Sequence, residues 1–522
     1  MKQPGSSGLG KRVAETIPRL GRGIALGYFT FVLLALLLVS PWLDFSMKRE
    51  RGAPNGLFLL AAVGVALLMG CAALWLRKGK LRGFWEQETT FRRVVVAGGL
   101  LLLMAQIVIC YGGWFVAGWD LLYVAPSVDE IARELPVSEI TYYDAYPNNL
   151  FLTGLQGLLA RCASIVGITG KTYPITVLGS CICVAVSVCL SAVAAKHLVH
   201  SVWVGYACLL LGGGFVGLSP WVLVPYSDTY GMLCPALALC IYACMRDRPL
   251  KWFWVVGVCL VGTWIKPTSI LFLVAVVLVH AVLYLYGQKP LRLRWKGLAL
   301  RAGAAALAAV LALGLKTGVS AAAGLTVDPE KALGMAHFAM LGLNRRSEGI
   351  WIAEDVIFSG GIPTAKERSR ENWSVAAARV KEMGPGGFGE LAIRKTLNNY
   401  DDGTFTWARE GGFFETIYGK LPALQKFYGI GSGQGSPAFL GIAQTLWLLI
   451  LAGLALGWLR QKPGLGECVL YVTLLGLSLF LTIFECRGRY LLLYAPYYVI
   501  GGVLGWRNLY QRITKSLRRD LP

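Results

Sequence analysis

Three stretches in the first quarter of the chain, residues 24–43, 56–76 and 94–116, each run for about twenty residues without a single Asp, Glu, Lys or Arg. A helix rises about 1.5 Å per residue, so each run matches the ~30 Å hydrocarbon thickness of a bilayer. Inside lipid every backbone amide and carbonyl must be paired within the segment itself, which leaves the α-helix as the form these runs can take. Composition carries the same constraint through the rest of the 522 residues, of which 56% are hydrophobic and only 15% charged. A soluble globular fold is excluded, and an all-α polytopic membrane protein is expected.

Further apolar segments lie at 150–168, 173–195, 199–222, 229–245, 252–265, 269–286, 299–317, 437–459, 467–484 and 490–506. The basic residues 1–22 followed by an uncleaved apolar run read as a signal anchor, and RKGKLRGFWEQETTFRR between the second and third runs reads as a cytoplasmic loop. If every segment crossed, Arg246, Arg248 and Lys251 would share the outer side with the acidic loop that follows residue 117. The segment 150–168 is short and carries Gln156 and Arg161, so it is taken to enter and leave on one side. Lys196, the RDRPLK loop, residues 289–296, 460–462 and the tail 507–519 then fall in the cytoplasm. The resulting expectation is about twelve spans plus one non-spanning helix in the plasma membrane, with both termini cytoplasmic. Lys48, Arg49 and Arg51 are the main exception. The chain divides into residues 1–117, an outer loop 118–149, central helices 150–317, a mixed extracytoplasmic region 318–436 and C-terminal spans 437–522.

Topology also accounts for the net charge of +21, most of which sits on the cytoplasmic face and meets anionic lipid; nucleic acid is not needed as a partner. Nine of the 13 cysteines, Cys110 through Cys259 with the exception of Cys162, lie inside apolar runs and read as small packing residues rather than disulfides or metal ligands.

The outer loop, GWDLLYVAPSVDEIARELPVSEITYYDAYPNN, is acidic in a basic protein. Ser127 and Glu130 have the spacing of a capping box, which predicts a short helix ending before Pro136. Its apolar residues Val128, Ile131, Ala132 and Leu135 share one face, as in a helix lying along the membrane surface. Asp129 and Glu130 then serve the helix start, whereas Asp120 has no structural role of that kind and is the candidate base. Tyr142, Tyr143 and Tyr146 suit either the lining of a sugar site or an interfacial aromatic belt, and Asn148 and Asn149 lead into the next helix. On the same outer face fall Tyr226, Ser227 and Asp228, then Lys266, then Glu485, Arg487 and Arg489. The two arginines and Lys266 are candidate ligands for a phosphate near the headgroup level, with Gly488 allowing close backbone approach.

The segments WDLLYV, YYDAYPNN, PYSD, HFAMLGLN, DGTFTWAREGGFF and ECRGRYLL together resemble the membrane glycosyltransferases of the GT-C superfamily of Gram-positive bacterial type, similar to the protein O-mannosyltransferase and aminoarabinose transferase group. The resemblance implies an enzyme that takes a sugar from a polyprenyl-phosphate donor and transfers it, on the outer side of the membrane, to a glycan or protein acceptor. It maps the family's loop carboxylate onto Asp120 and the donor-phosphate ligands onto Arg487 and Arg489. The sugar is expected beneath Tyr146 and Trp407, with Asp228, Glu485 and the Tyr142–Asn149 group around it. Nothing requires a metal, although a divalent cation shared by Asp120 and Asp228 is an open option. The rival reading is a transporter or flippase of lipid-linked sugars.

Overall fold

The computed structural model describes residues 8–168, 170, 172–286, 291–409, 413–460 and 462–519. Among these, seven helices are long and apolar enough to cross a membrane, from Thr16–Leu38 and Asn55–Lys78 through to Leu465–Ile483. Shorter apolar helices, Val202–Gly217, Pro249–Ile265 and Pro267–Ala281, pack among them. The protein is a polytopic helical bundle, and each apolar segment of the sequence has become helix. Where a segment is broken, proline or glycine stands at the break. The run 199–222 is helical to Gly212, widens by one turn through Gly213–Gly217 and tightens at Pro220–Leu223. The run 229–245 divides at Met232, where Pro235 cannot return an amide to Gly231.

The expected helix of the outer loop is present but displaced. It spans Leu121–Ala132 and begins directly after Asp120, with Pro126 inside it. Ser127 caps nothing: it is fully buried, and its hydroxyl donates to the Tyr123 carbonyl at 2.8 Å in mid-helix. The buried face is Leu121, Val124, Val128 and Ile131, while Leu135 lies beyond the helix and is exposed. The cause is energetic. A proline within a helix costs about 3 kcal/mol, whereas fully burying four aliphatic side chains at about 1.5–3 kcal/mol each outweighs it. Asp129 and Glu130 remain structural by other means, Asp129 pairing with Arg133 at 3.0 Å and Glu130 accepting from the Ser138 amide and hydroxyl at 3.0 and 2.7 Å.

This loop helix lies on the helix Leu150–Ile165. Their approach requires Gly157, where a Cβ would come within 2.5 Å of the Ile131 side chain. Gln156 of the same helix is buried and donates to the Pro225 carbonyl at 3.0 Å. Arg161 near its end pairs with Glu134, and Thr172 just beyond it donates to Asp129 at 3.2 Å. The C-terminal end of Leu150–Ile165 is thus fastened to the outer loop helix.

The region 318–436 carries the helices Gly334–Gly342, Ala353–Gly360 and Ala365–Tyr400. The last of these includes the expected ENWSVAAARVKEM helix and continues through MGPGGFG by a kink at Gly384, whose φ of 60° leaves the helical region. Its far end enters the bundle, where the Tyr400 hydroxyl bonds Ser478 and Tyr498, each at 2.7 Å. A two-stranded antiparallel ladder, Phe115–Ala117 with Phe414–Ile417, ties the same region to the end of the helix Glu88–Gly113.

The exceptional basic cluster now has partners. Arg49 Nε meets Asp402 at 3.0 Å and its guanidinium also donates to the Trp407 carbonyl; Arg51 meets Asp401 at 2.5 Å. Asp401 also accepts from Ser40 at 2.6 Å and Asn55 at 3.0 Å. Burial alone would raise Asp402, but Arg49, Arg51 and the Thr404 amide and hydroxyl hold it below the usual carboxylate range. The acidic pair of the DDGTFTW segment is therefore a clasp for the first two spans. Replacing Asp402 with Asn leaves Arg49 buried opposite a neutral partner, and an unfolding free energy lower by about 3–5 kcal/mol is expected. Thermal unfolding of the purified variant in detergent measures it.

Candidate functional site

Asp120 occupies the turn between the short strand and the loop helix, following Trp119, which has a left-handed φ of 60°. The Tyr142 hydroxyl donates to the Asp120 carboxyl, and Asn149 in turn donates to the Tyr142 oxygen. The Tyr142 ring is held flat against Tyr123, with centroids 4.6 Å apart and planes within 6°. Asp120 keeps contact with solvent, yet the protein packed around its carboxyl raises it above the usual range. Arg489, the Tyr142 hydroxyl and Arg487 act against that rise without cancelling it, and Glu485 adds to it.

The arginines arrive from the segment between the last two long helices. Arg489 sits over the rings of Tyr226 at 4.8 Å, Trp119 at 5.3 Å and Tyr490 at 5.4 Å, and Arg487 lies 6.0 Å from Trp119. Cation–π contacts of this kind help fix the position of a guanidinium. Glu485 is fastened by Arg487 at 3.0 Å and by the Tyr490 hydroxyl at 2.9 Å. Its carboxylate orients the arginine and the tyrosine.

The structure brings Asp120, Tyr142, Tyr146, Asn149, Glu485, Arg487 and Arg489 together from three separated stretches of chain. Asp228 and Lys266 adjoin them as a buried ion pair, with the Lys266 ammonium 4.3 Å from the Tyr490 ring. In this structure the Lys266 ammonium and the Asp228 carboxylate are each other's partners beside the Asp120 group, and the ammonium also braces Tyr490. Among the described residues no group of three or more His, Cys, Asp and Glu side chains is placed to hold a metal.

Three other candidates lie off the site surface. Tyr143 is fully buried with its hydroxyl on Thr153 at 3.2 Å. Asn148 donates to the Asn149 side chain at 3.2 Å and acts through it. Trp407 is fully enclosed, its indole donating to the Tyr428 carbonyl at 2.8 Å, and it packs against Phe413, which itself touches Trp119. Gly488 is required by protein rather than ligand, since a Cβ there would stand 2.9 Å from Thr406.

Reading the sequence alone missed Trp119 as a ring beneath the arginines, Tyr123 as the ring supporting Tyr142, and Trp351. Trp351 bonds the Tyr146 side chain and is half-exposed at the mouth. Tyr123 carried a signal, being three residues beyond Asp120 on one helix face; Trp351 carried none. Burial, and then the Asp120 charge, push the Tyr146 hydroxyl up to about 12, so it remains a donor at neutral pH.

A model of an integral membrane protein family matches residues 19–510. The chain belongs to the conserved hypothetical integral membrane protein family. Neither a curated protein nor a solved structure matches it. The match runs from the first span to the last helix, so every group of the site lies within the family's own extent.

The relay from Asn149 through Tyr142 to Asp120 is directly testable. Tyr142→Phe removes a hydrogen bond to a charged group, worth about 1.5–3 kcal/mol. The Asp120 pKa is expected to rise by about one to two units. Infrared difference titration of the protein in vesicles, with the Asp120 band identified by its loss in Asp120→Asn, reads the shift.

Proposed function

We propose that this protein is a polyprenyl-phosphate-dependent glycosyltransferase of the GT-C kind, working on the outer face of the plasma membrane. The observation that carries the reading is a solvent-reached carboxyl with a raised pKa at the same mouth as two buried guanidiniums. A base beside an anion-binding pair is what sugar transfer from a lipid phosphate needs. Asp120 takes the proton of an acceptor hydroxyl as that oxygen bonds the anomeric carbon. The bond from that carbon to the lipid phosphate breaks, and Arg487 and Arg489 stabilise the departing phosphate oxygens. Tyr142 and Asn149 orient the carboxyl, while Tyr146 and Trp351 offer ring faces and hydrogen-bonding edges at the mouth.

The basic loops placed in the cytoplasm by the charge rule put the Asp120 mouth outside, which supports an acceptor in the envelope, either a glycan or a protein.

Asp120→Asn is expected to lower sugar incorporation into envelope material by about 10²–10⁴-fold at unchanged protein abundance. Unchanged transfer in that variant removes Asp120 from the chemistry. The pH dependence has a definite sign. Asp120 accepts a proton only when ionised, so the rate is full above its raised pKa and falls as pH drops through it. The acid limb is therefore expected above the ordinary aspartate value of about 3.9, measured as initial rate against pH in membrane vesicles. Arg489→Lys keeps the charge but loses the two-pronged geometry, and a donor KM higher by about tenfold or more is expected.

A further inference from the structure

The helices Pro249–Ile265, Ile270–Tyr286 and Leu291–Ala322 leave between them a cavity of about 540 Å³. It lies at the end of this trio remote from the Asp120 mouth: Val256 on its wall precedes Lys266 by ten residues of helix, about 15 Å. The wall is largely apolar, with Val256, Leu273, Leu298, Ala302 and Ala305. Val277, Leu285 and Trp295 on its border are all strongly exposed, so it opens sideways on the surface that meets lipid. Its size falls within the range of small-molecule sites, about 300–1,000 Å³, and its walls offer water few partners.

The rim is polar and cationic. Arg301 lies over the Tyr284 ring at 5.5 Å and pairs with Asp247 at 2.5 Å. Asp247 also accepts from the Trp252 indole at 2.8 Å, and His280 is bonded to the Tyr242 hydroxyl at 2.9 Å. Lys251 stands 4.1 Å from the Tyr242 ring, and Arg246, Arg248 and Lys296 are exposed nearby in sequence. Asp247 is thus the single carboxylate among Arg246, Arg248, Lys251, Lys296 and Arg301.

We propose that this cavity holds one acyl chain of an anionic phospholipid, with the lipid phosphate at the Arg301 rim, on the helix that also carries Lys296. An apolar slot open to the bilayer admits a chain that is already dissolved there, and the excess of cations selects the headgroup, as basic pockets between spans do. A long isoprenoid exceeds a slot of this volume, and the slot is separate from the transfer site, so the inference stands independently of the proposed activity.

The test is native mass spectrometry of the full-length protein, purified in detergent, stripped of lipid and titrated with phosphatidylglycerol, phosphatidylcholine of the same chains, or undecaprenyl phosphate. One retained phosphatidylglycerol is expected, held about tenfold more tightly than phosphatidylcholine. Ala302→Trp fills the slot and should abolish retention; Ala305→Phe serves if that variant is not monodisperse. Lys296→Gln with Arg301→Gln should remove the headgroup preference while leaving chain binding. Asp120→Asn should retain the lipid in full. Equal binding of the two phospholipids by the unaltered protein, retention unchanged in the filled variants, or displacement of phosphatidylglycerol by equimolar undecaprenyl phosphate would each overturn the proposal.

Discussion

A charge taken out of water inside an apolar bundle must meet its opposite, and much of this structure follows from that requirement. Arg49 and Arg51 answer Asp402 and Asp401, Lys266 answers Asp228, and Arg487 answers Glu485. All but the last, which lies within one segment, join parts of the chain that are distant in sequence. The first pair fixes the hairpin of the first two spans to the end of the long helix Ala365–Tyr400; the others align the segments carrying Tyr490 and the two arginines. Replacing a well-made pair of this kind with hydrophobic residues need not lower stability, so its use here is geometric. It holds the walls of one mouth in register.

Asp120 stands apart from these clasps. Its carboxyl is oriented by a phenol, and the two guanidiniums that act on its charge are shared with Glu485 and with three aromatic rings. The outcome is a raised rather than a lowered pKa, the opposite of Asp402, which has two arginines and the Thr404 donors set against its burial. Two aspartates beside arginines in one protein thus end in different protonation behaviour because of how completely each is satisfied. Such divergence separates a structural carboxylate from one able to exchange a proton.

The helices were legible because an uncharged run of about twenty residues has few alternatives in a membrane. Breaks at Pro220 and Pro235 were equally open to inspection. The start of the loop helix was not, since the Ser127 and Glu130 spacing is a local pattern and the burial of Leu121, Val124, Val128 and Ile131 is a tertiary fact that overrode it. Asp120, Arg487 and Arg489 could be singled out as candidates because ionisable residues beside apolar runs stand out. Their supports were not found: the clasp of Arg49 with Asp402 bridges 353 residues, and Trp351 reaches Tyr146 from a region with no pattern pointing inward. The charge of Lys266 was visible in the sequence, whereas its pairing with Asp228 is visible only in three dimensions.

Backbone strain gathers around the same mouth. Trp119, Phe405, Thr406 and Ala408 all have φ between 55° and 60°, and Glu348 has 53°, although none is glycine. Each such residue costs roughly 1–2 kcal/mol, and a bundle whose helices follow so directly from apolar runs has no need of them for its fold. Their positions give the reason. Trp119 turns the chain so that its ring lies under both arginines while Asp120 faces Tyr142. Thr406 meets Gly488 between those arginines, and Glu348 takes Arg394 at 3.0 Å while its carbonyl accepts from Cys486, next to Glu485. The strained turns therefore act on the spacing between the carboxyl and the guanidiniums, and the clasps around Arg49 and Arg51 hold those turns in place.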